Sequence, residues 1–124
     1  MKNLAVLGAT GSIGCSTLDV VRRFPEQFRV VSLTAGRNVD RLARQIEAFR
    51  PAMAVVLEEG DRKALQARLP ADLKVDLRWG EEGLVAAAAL PEVDMVVTGI
   101  VGAAGLMPTL AAIDAGKPIA LANK

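Results

Sequence analysis

The segment "VLGATGSIGC" at residues 6–15 decides how the chain is read. Apolar residues run into Gly8, and Gly11 and Gly14 follow at equal intervals. A strand that ends in glycine and turns into a helix presents backbone N–H groups at the positive end of the helix dipole, where a phosphate binds. Each glycine has its own expected task. Gly8 permits a tight turn, Gly11 lets backbone approach a pyrophosphate, and Gly14 lets the helix lie against the strand. The N–H groups of Thr10, Gly11, Ser12 and Ile13 are expected to face the phosphates, with the hydroxyls of Thr10 and Ser12 as further donors. The plainer alternative is a tight turn with no ligand.

Outward from this segment the chain alternates regularly. Strands are predicted at 3–9, 28–36, 53–58, 73–79, 93–100 and 118–123. The first is a continuous apolar run, the pattern of a buried parallel strand. The fourth, "LKVDLRW", alternates and reads as half exposed. Helices are predicted at 11–25, 38–51, 61–69, 82–91 and 104–116. In the second, Val39, Leu42, Ile46 and Phe49 share one face. Pro25 and Pro51 stop helices, Pro108 falls in a first turn or two, and Gly116 is a C-cap signal. This order predicts one α/β domain over residues 1–124: a doubly wound parallel sheet, a Rossmann-like dinucleotide-binding domain.

The ribose end of the ligand is read from the second strand. An NAD site usually places an acid there, about 20 residues past the glycines. This chain has "LTAGRN" at 33–38, with Arg37 in that place and Asn38 beside it. A guanidinium suits a 2′-phosphate, which a carboxylate would repel. The cofactor expected is therefore NADPH, the alternative for Arg37 being a solvated loop residue. A second glycine triplet, Gly99, Gly102 and Gly105, follows the strand "DMVVTGI". It is expected either to line the nicotinamide side of the same ligand or only to allow close helix–sheet packing.

Composition excludes much else. The 124 residues carry a formal net charge of +1, no His, no Tyr and one Cys. There is no imidazole base, no Ser-His-Asp triad, no Tyr/Lys dehydrogenase pair and no thiolate zinc cluster. Aromatic residues make up 3%, and the basic residues are scattered, so no nucleic-acid partner is expected. No apolar run reaches bilayer-spanning length, so no membrane partner is expected either. One cysteine excludes an internal disulfide and suits a cytoplasmic protein. Cys15, Met107 and Trp79 read as packing residues. Asn123 and Lys124 lie just past the last predicted strand, where ligands of open α/β sheets bind. Lys124 there either holds a substrate anion or is a terminal surface lysine. A domain that stops at the mouth of its own site is expected to be a fragment of a longer enzyme.

Two blocks carry a resemblance: "GATGSIGCSTLDVVRRFPEQFRVVSLTAGRNVDRL" and "GIVGAAGLMPTLAAIDAGKPIALANK". From about Asn3 to Lys124 the chain resembles the amino-terminal domain of the 1-deoxy-D-xylulose 5-phosphate reductoisomerase family. The resemblance implies an enzyme of non-mevalonate isoprenoid biosynthesis. Such an enzyme isomerises that sugar phosphate and reduces the product with NADPH to 2-C-methyl-D-erythritol 4-phosphate. It implies a divalent metal (Mg, Mn or Co) in the full-length enzyme, and a homodimer. Carried over by residue, Thr10, Gly11, Ser12 and Ile13 match the phosphate loop, and Gly36, Arg37 and Asn38 match the 2′-phosphate loop. Asn123 matches a nicotinamide-side contact and Lys124 a substrate contact. Many members have Lys at the position of Arg37. The Glu that follows the last lysine in the family, its metal carboxylates and its lid do not occur in this chain, which is therefore expected to be inactive alone. Two other readings stand beside this one: a stand-alone nucleotide-sensing domain, and the cofactor half of another NADP oxidoreductase such as a semialdehyde dehydrogenase.

Overall fold

The computed structural model describes residues 1–99, 112–113 and 115–121. Its elements follow the expected order: β1 Lys2–Leu7, α1 Ser12–Arg23, β2 Phe28–Thr34, α2 Val39–Phe49 and β3 Met53–Val56. Then come α3 Glu59–Arg68, β4 Asp76–Trp79, α4 Gly80–Ala89, β5 Met95–Thr98 and β6 Ile119–Leu121. The strands form one six-stranded sheet in the order β4-β3-β2-β1-β5-β6. Every pairing is parallel.

The two faces are covered by different helices, because right-handed crossovers to either side of β1 land on opposite faces. On one face Leu18 and Val21 of α1, Leu42 and Ile46 of α2, and Leu65 of α3 pack on Leu4, Val6, Val30, Leu33 and Val56. On the other, Leu84 and Ala87 of α4 pack on Met53 and Val55. Ala88 and Ala112 join Ala5, Leu7, Val31 and Val96 there. Adjacent residues of β1 thus serve opposite cores, which is why the strand reads as continuously apolar. Buried Ser32 ties the second face together by donating to Ala87 O at 3.0 Å.

Differences from the predicted bounds have local causes. Residues 73–75 are not strand. Among the described residues this edge pairs with β3, whose register begins at Met53↔Asp76, just after Pro51. Asp76 and Arg78 form an ion pair at 3.0 Å on this exposed edge, and charge there blunts pairing with another chain. Trp79 is an edge residue, 43% exposed, with the Arg62 guanidinium 5.1 Å above its ring. Of the predicted helix at 104–116, Ala112 and Ile113 are described and are helical. Gly116 takes φ +75°. The N–H of Gly116 reaches Ile113 O at 3.0 Å, and that of Lys117 reaches Ala112 O at 2.9 Å. This paired arrangement is a Schellman cap, as the glycine predicts.

Candidate functional site

The chain reverses its strand order beside β1: β2 lies on one side and β5, reached much later, on the other. Ligands of open α/β sheets bind in the crevice this creates beyond the carboxyl ends of the strands. Residues 8–14 stand there.

The three glycines separate by physics. Gly8 has φ +77°, a left-handed conformation that any side chain would resist. A Cβ on Gly14 would lie 2.3 Å from Gly8 O and 2.5 Å from Ala9 Cα, so only glycine lets α1 approach the loop. Gly11 is different. Its backbone is ordinary, φ −77°, and a Cβ there would meet only Gly8 O at 3.6 Å. The fold does not require glycine at position 11. The position faces outward, toward open space.

One expectation is corrected. The Gly11 N–H closes the turn by donating to Gly8 O at 3.2 Å, so it is not among the free donors. The first bond of α1 is Cys15 N–H to Gly11 O, 2.9 Å, and the helix start has no side-chain cap. The amides of Ser12 and Ile13 in its first turn are left for an anion. Thr10 is half-buried and Ser12 exposed.

The loop is stitched to the end of β2. Gly8 N–H donates to Thr34 Oγ1 at 3.0 Å, and Ala9 N–H to Thr34 O at 2.7 Å. Beyond Thr34, Gly36, Arg37 and Asn38 are all exposed. Asn38 caps α2, its Oδ1 accepting from the Arg41 N–H at 3.1 Å. Arg37 pairs with Glu58, at the end of β3, across 3.2 Å. That carboxylate was not foreseen from the sequence. The sign it leaves is its place between β3, the strand that neighbours β2, and the first residue of α3.

Two other residues also escaped the sequence reading. Arg41 Nη1 donates to Thr10 O at 3.0 Å, and Gln45 Nε2 donates to Ala9 O at 2.9 Å. The signal was a glutamine set beside the apolar stripe of α2, where it is buried with Leu42 and Ile46. Cys15 is half-buried, its Sγ 3.7 Å from both of those carbonyl oxygens.

On the other side of the crevice, Gly99 N–H donates to Leu7 O at 2.9 Å. A Cβ on Gly99 would stand 3.3 Å from Ile13 Cβ. The first glycine of the second triplet therefore lies against the first turn of α1, across the crevice from β2. Gly102, Gly105, Met107, Pro108, Asn123 and Lys124 lie outside the described residues. A groove of about 540 Å³ beside Arg62, Leu73 and Asp76 opens at the start of β4, away from the strand ends that form the crevice.

A parallel sheet with a glycine loop at its switch point places the chain in the class of doubly wound, Rossmann-like domains. More narrowly, the chain belongs to the 1-deoxy-D-xylulose 5-phosphate reductoisomerase family, whose model matches residues 4–124. It is 56% identical over its whole length to the 1-deoxy-D-xylulose 5-phosphate reductoisomerase of Geobacter sp. (strain M21), covering 32% of that protein. Against the enzyme of Chlorobaculum tepidum the identity is 53%, again over the whole chain and 32% of the relative. Among solved structures, a DOX-P reductoisomerase in complex with NADPH, fosmidomycin and magnesium superposes with a TM-score of 0.93 at 43% identity, covering 99% of this chain and 30% of the other. The Zymomonas mobilis enzyme in complex with NADPH gives a TM-score of 0.91 at 42% identity, over 98% and 32% of the two chains. The chain thus spans about a third of the length of the curated relatives it matches.

Proposed function

We propose that this chain is the NADPH-binding domain of a reductoisomerase that converts 1-deoxy-D-xylulose 5-phosphate to 2-C-methyl-D-erythritol 4-phosphate. The observation that carries the proposal is the glycine at position 11, which the surrounding backbone does not require, at the uncapped start of α1 beside the switch point of the sheet. The cofactor supplies hydride to the isomerised substrate. The chain's own residues bind and orient it. Amides of Thr10, Ser12 and Ile13 would hold the pyrophosphate, and Gly36, Arg37 and Asn38 the 2′-phosphate end. Gly99 would border the nicotinamide side, and Asn123 and Lys124, which lie outside the described residues, are assigned to nicotinamide and substrate from the resemblance alone.

A divalent metal needs a cluster of oxygen ligands. Among the described residues no three Asp, Glu, His or Cys side chains converge, and the sequence has no His. The described residues therefore do not fit the metal of such an enzyme. In the whole enzyme the metal and the carboxylates that hold it would complete the site; we place that enzyme, as a homodimer, in the cytoplasm. Among the described residues no helix is long and apolar enough to cross a membrane. The near-neutral charge and few aromatics support a small-molecule partner over nucleic acid. No observation favours the sensor or semialdehyde dehydrogenase readings.

Calorimetric titration with NADPH and NADH tests the proposal. NADPH binding tighter than NADH is expected. Equal affinities, or no binding of either, refute it.

A further inference from the structure

The phosphate loop is held from outside by a feature that the cofactor reading does not itself require. Residues 8–11 form a tight turn closed by the Gly11-to-Gly8 bond, and its central peptide joins Ala9 to Thr10. In a trans peptide the carbonyl of one residue and the N–H of the next point in opposite directions. The orientation of the Ala9 carbonyl therefore fixes where the Thr10 N–H points. A flip of that peptide would aim a carbonyl oxygen, not an N–H, at the ligand. Gln45 Nε2 holds Ala9 O at 2.9 Å, and one helical turn earlier Arg41 Nη1 holds the next carbonyl, Thr10 O, at 3.0 Å. These side chains are spaced i, i+4 on α2, so they share a face. Both draw consecutive carbonyls toward α2.

Gln45 is 9% exposed, and its Oε1 is buried without a hydrogen-bond partner. An unsatisfied buried acceptor costs about 1–3 kcal/mol, so the contribution of this amide to the loop lies in its N–H.

We infer that Gln45 and Arg41 are positioning residues: a two-point clamp on the Ala9 and Thr10 carbonyls that holds the turn closed by the Gly11-to-Gly8 bond and sets the Thr10 N–H toward the dinucleotide pyrophosphate. The inference rests on the NADPH-binding reading. It assigns Arg41 to the loop that NADPH and NADH share, and not to the 2′-phosphate that only NADPH carries.

The test is calorimetric titration of the 124-residue chain and its Arg41→Met, Arg41→Lys and Gln45→Met variants with NADPH and NADH, alongside thermal melting. Arg41→Met is expected to weaken both cofactors by the same factor, about five- to tenfold. Arg41→Lys keeps a donor on a long stem and restores most of the loss. Gln45→Met removes the donor and the orphaned acceptor together. It is expected to weaken both cofactors while leaving the melting temperature unchanged or raised, a combination that a merely structural glutamine would not give. A loss confined to NADPH in Arg41→Met would make Arg41 a direct 2′-phosphate ligand and overturn the clamp. Unchanged affinities in both Met variants would overturn it as well. Absence of binding by the unsubstituted chain would instead overturn the NADPH-binding reading on which the clamp rests.

Discussion

Substituting Ala at Gly14 and at Gly11 separates what the fold needs from what the ligand needs. At Gly14 the new methyl group would lie 2.3 Å from Gly8 O, 2.5 Å from Ala9 Cα and 2.6 Å from Ala9 C. All three are backbone atoms, so no side chain can swing aside. Carbon contacts are comfortable near 3.5 Å, so α1 must retreat by roughly 1 Å. That retreat loosens Leu18 and Val21, which are 2% and 5% exposed, from β1. Overpacking of this kind costs about 1–3 kcal/mol or more, and loosening the core adds to it. The gain from Ala over Gly within a helix returns up to about 1 kcal/mol. The net loss expected for Gly14→Ala is about 3 kcal/mol. With a urea slope near 1.5 kcal/mol/M, the unfolding midpoint falls by about 2 M. At Gly11 the methyl group meets only one atom, at 3.6 Å. Stability should stay within about 0.5 kcal/mol, because a slightly poorer helix cap is offset by a less flexible unfolded chain. NADPH affinity should nevertheless fall at least tenfold, since the methyl group occupies the phosphate's approach. The assay is urea denaturation followed by circular dichroism, with calorimetric titration of the folded variants. An unshifted midpoint for Gly14→Ala, or undiminished NADPH affinity for Gly11→Ala, would refute the division of roles.

Arg37→Ala should weaken NADPH by about tenfold while leaving NADH nearly unchanged, because a charge-assisted contact to phosphate is lost; titration with both cofactors checks the ratio. Glu58→Gln removes the carboxylate 3.2 Å from Arg37 and should strengthen NADPH binding by about two- to fivefold, the range of an exposed ion pair. Weaker binding in that variant would show Glu58 to be a ligand contact. Ser32→Ala strands Ala87 O at the junction of β2 and α4 and should lower stability by about 1–2 kcal/mol with no change in cofactor preference, measured by thermal melting.

Much of this was legible from residue pattern, and the parts that were not share a cause. The alternation of strands and helices, the parallel sheet and both helix layers follow from periodicity and from the right-handed crossover, which are local rules. The phosphate loop was legible because glycines record a steric demand at their own position. Gly14 and Gly11 look alike in the sequence, however, and only the neighbours of an added Cβ distinguish them. Residues 73–75 continue an alternating pattern, yet a strand ends where its partner's register begins. Arg41, Gln45 and Glu58 were missed because their partners are distant: the carbonyls of Thr10 and Ala9, and the guanidinium of Arg37. The sequence points to the Arg37 guanidinium for the 2′-phosphate, with Asn38 beside it in the loop that the resemblance matches. The structure brings them together but engages the Asn38 side-chain oxygen as a helix cap.

The position of β1 in the middle of the sheet also sets an order of assembly. Its first partner is close in the chain, since Leu4 pairs with Val30. Its second is far, since Leu4 also pairs with Met95. By the logarithmic growth of loop entropy, closing the longer loop costs about 1 kcal/mol more than closing the shorter. As the chain leaves the ribosome, β1 through β4 can zip together in sequence, while the far flank of β1 stays open until β5 is made. Only then does Gly99 arrive beside Leu7 and Ile13 to close the crevice. Under the NADPH-binding proposal, cofactor capture would be a late event in biogenesis. A nascent chain stalled before residue 95 should hold most of its sheet yet be unable to retain a dinucleotide.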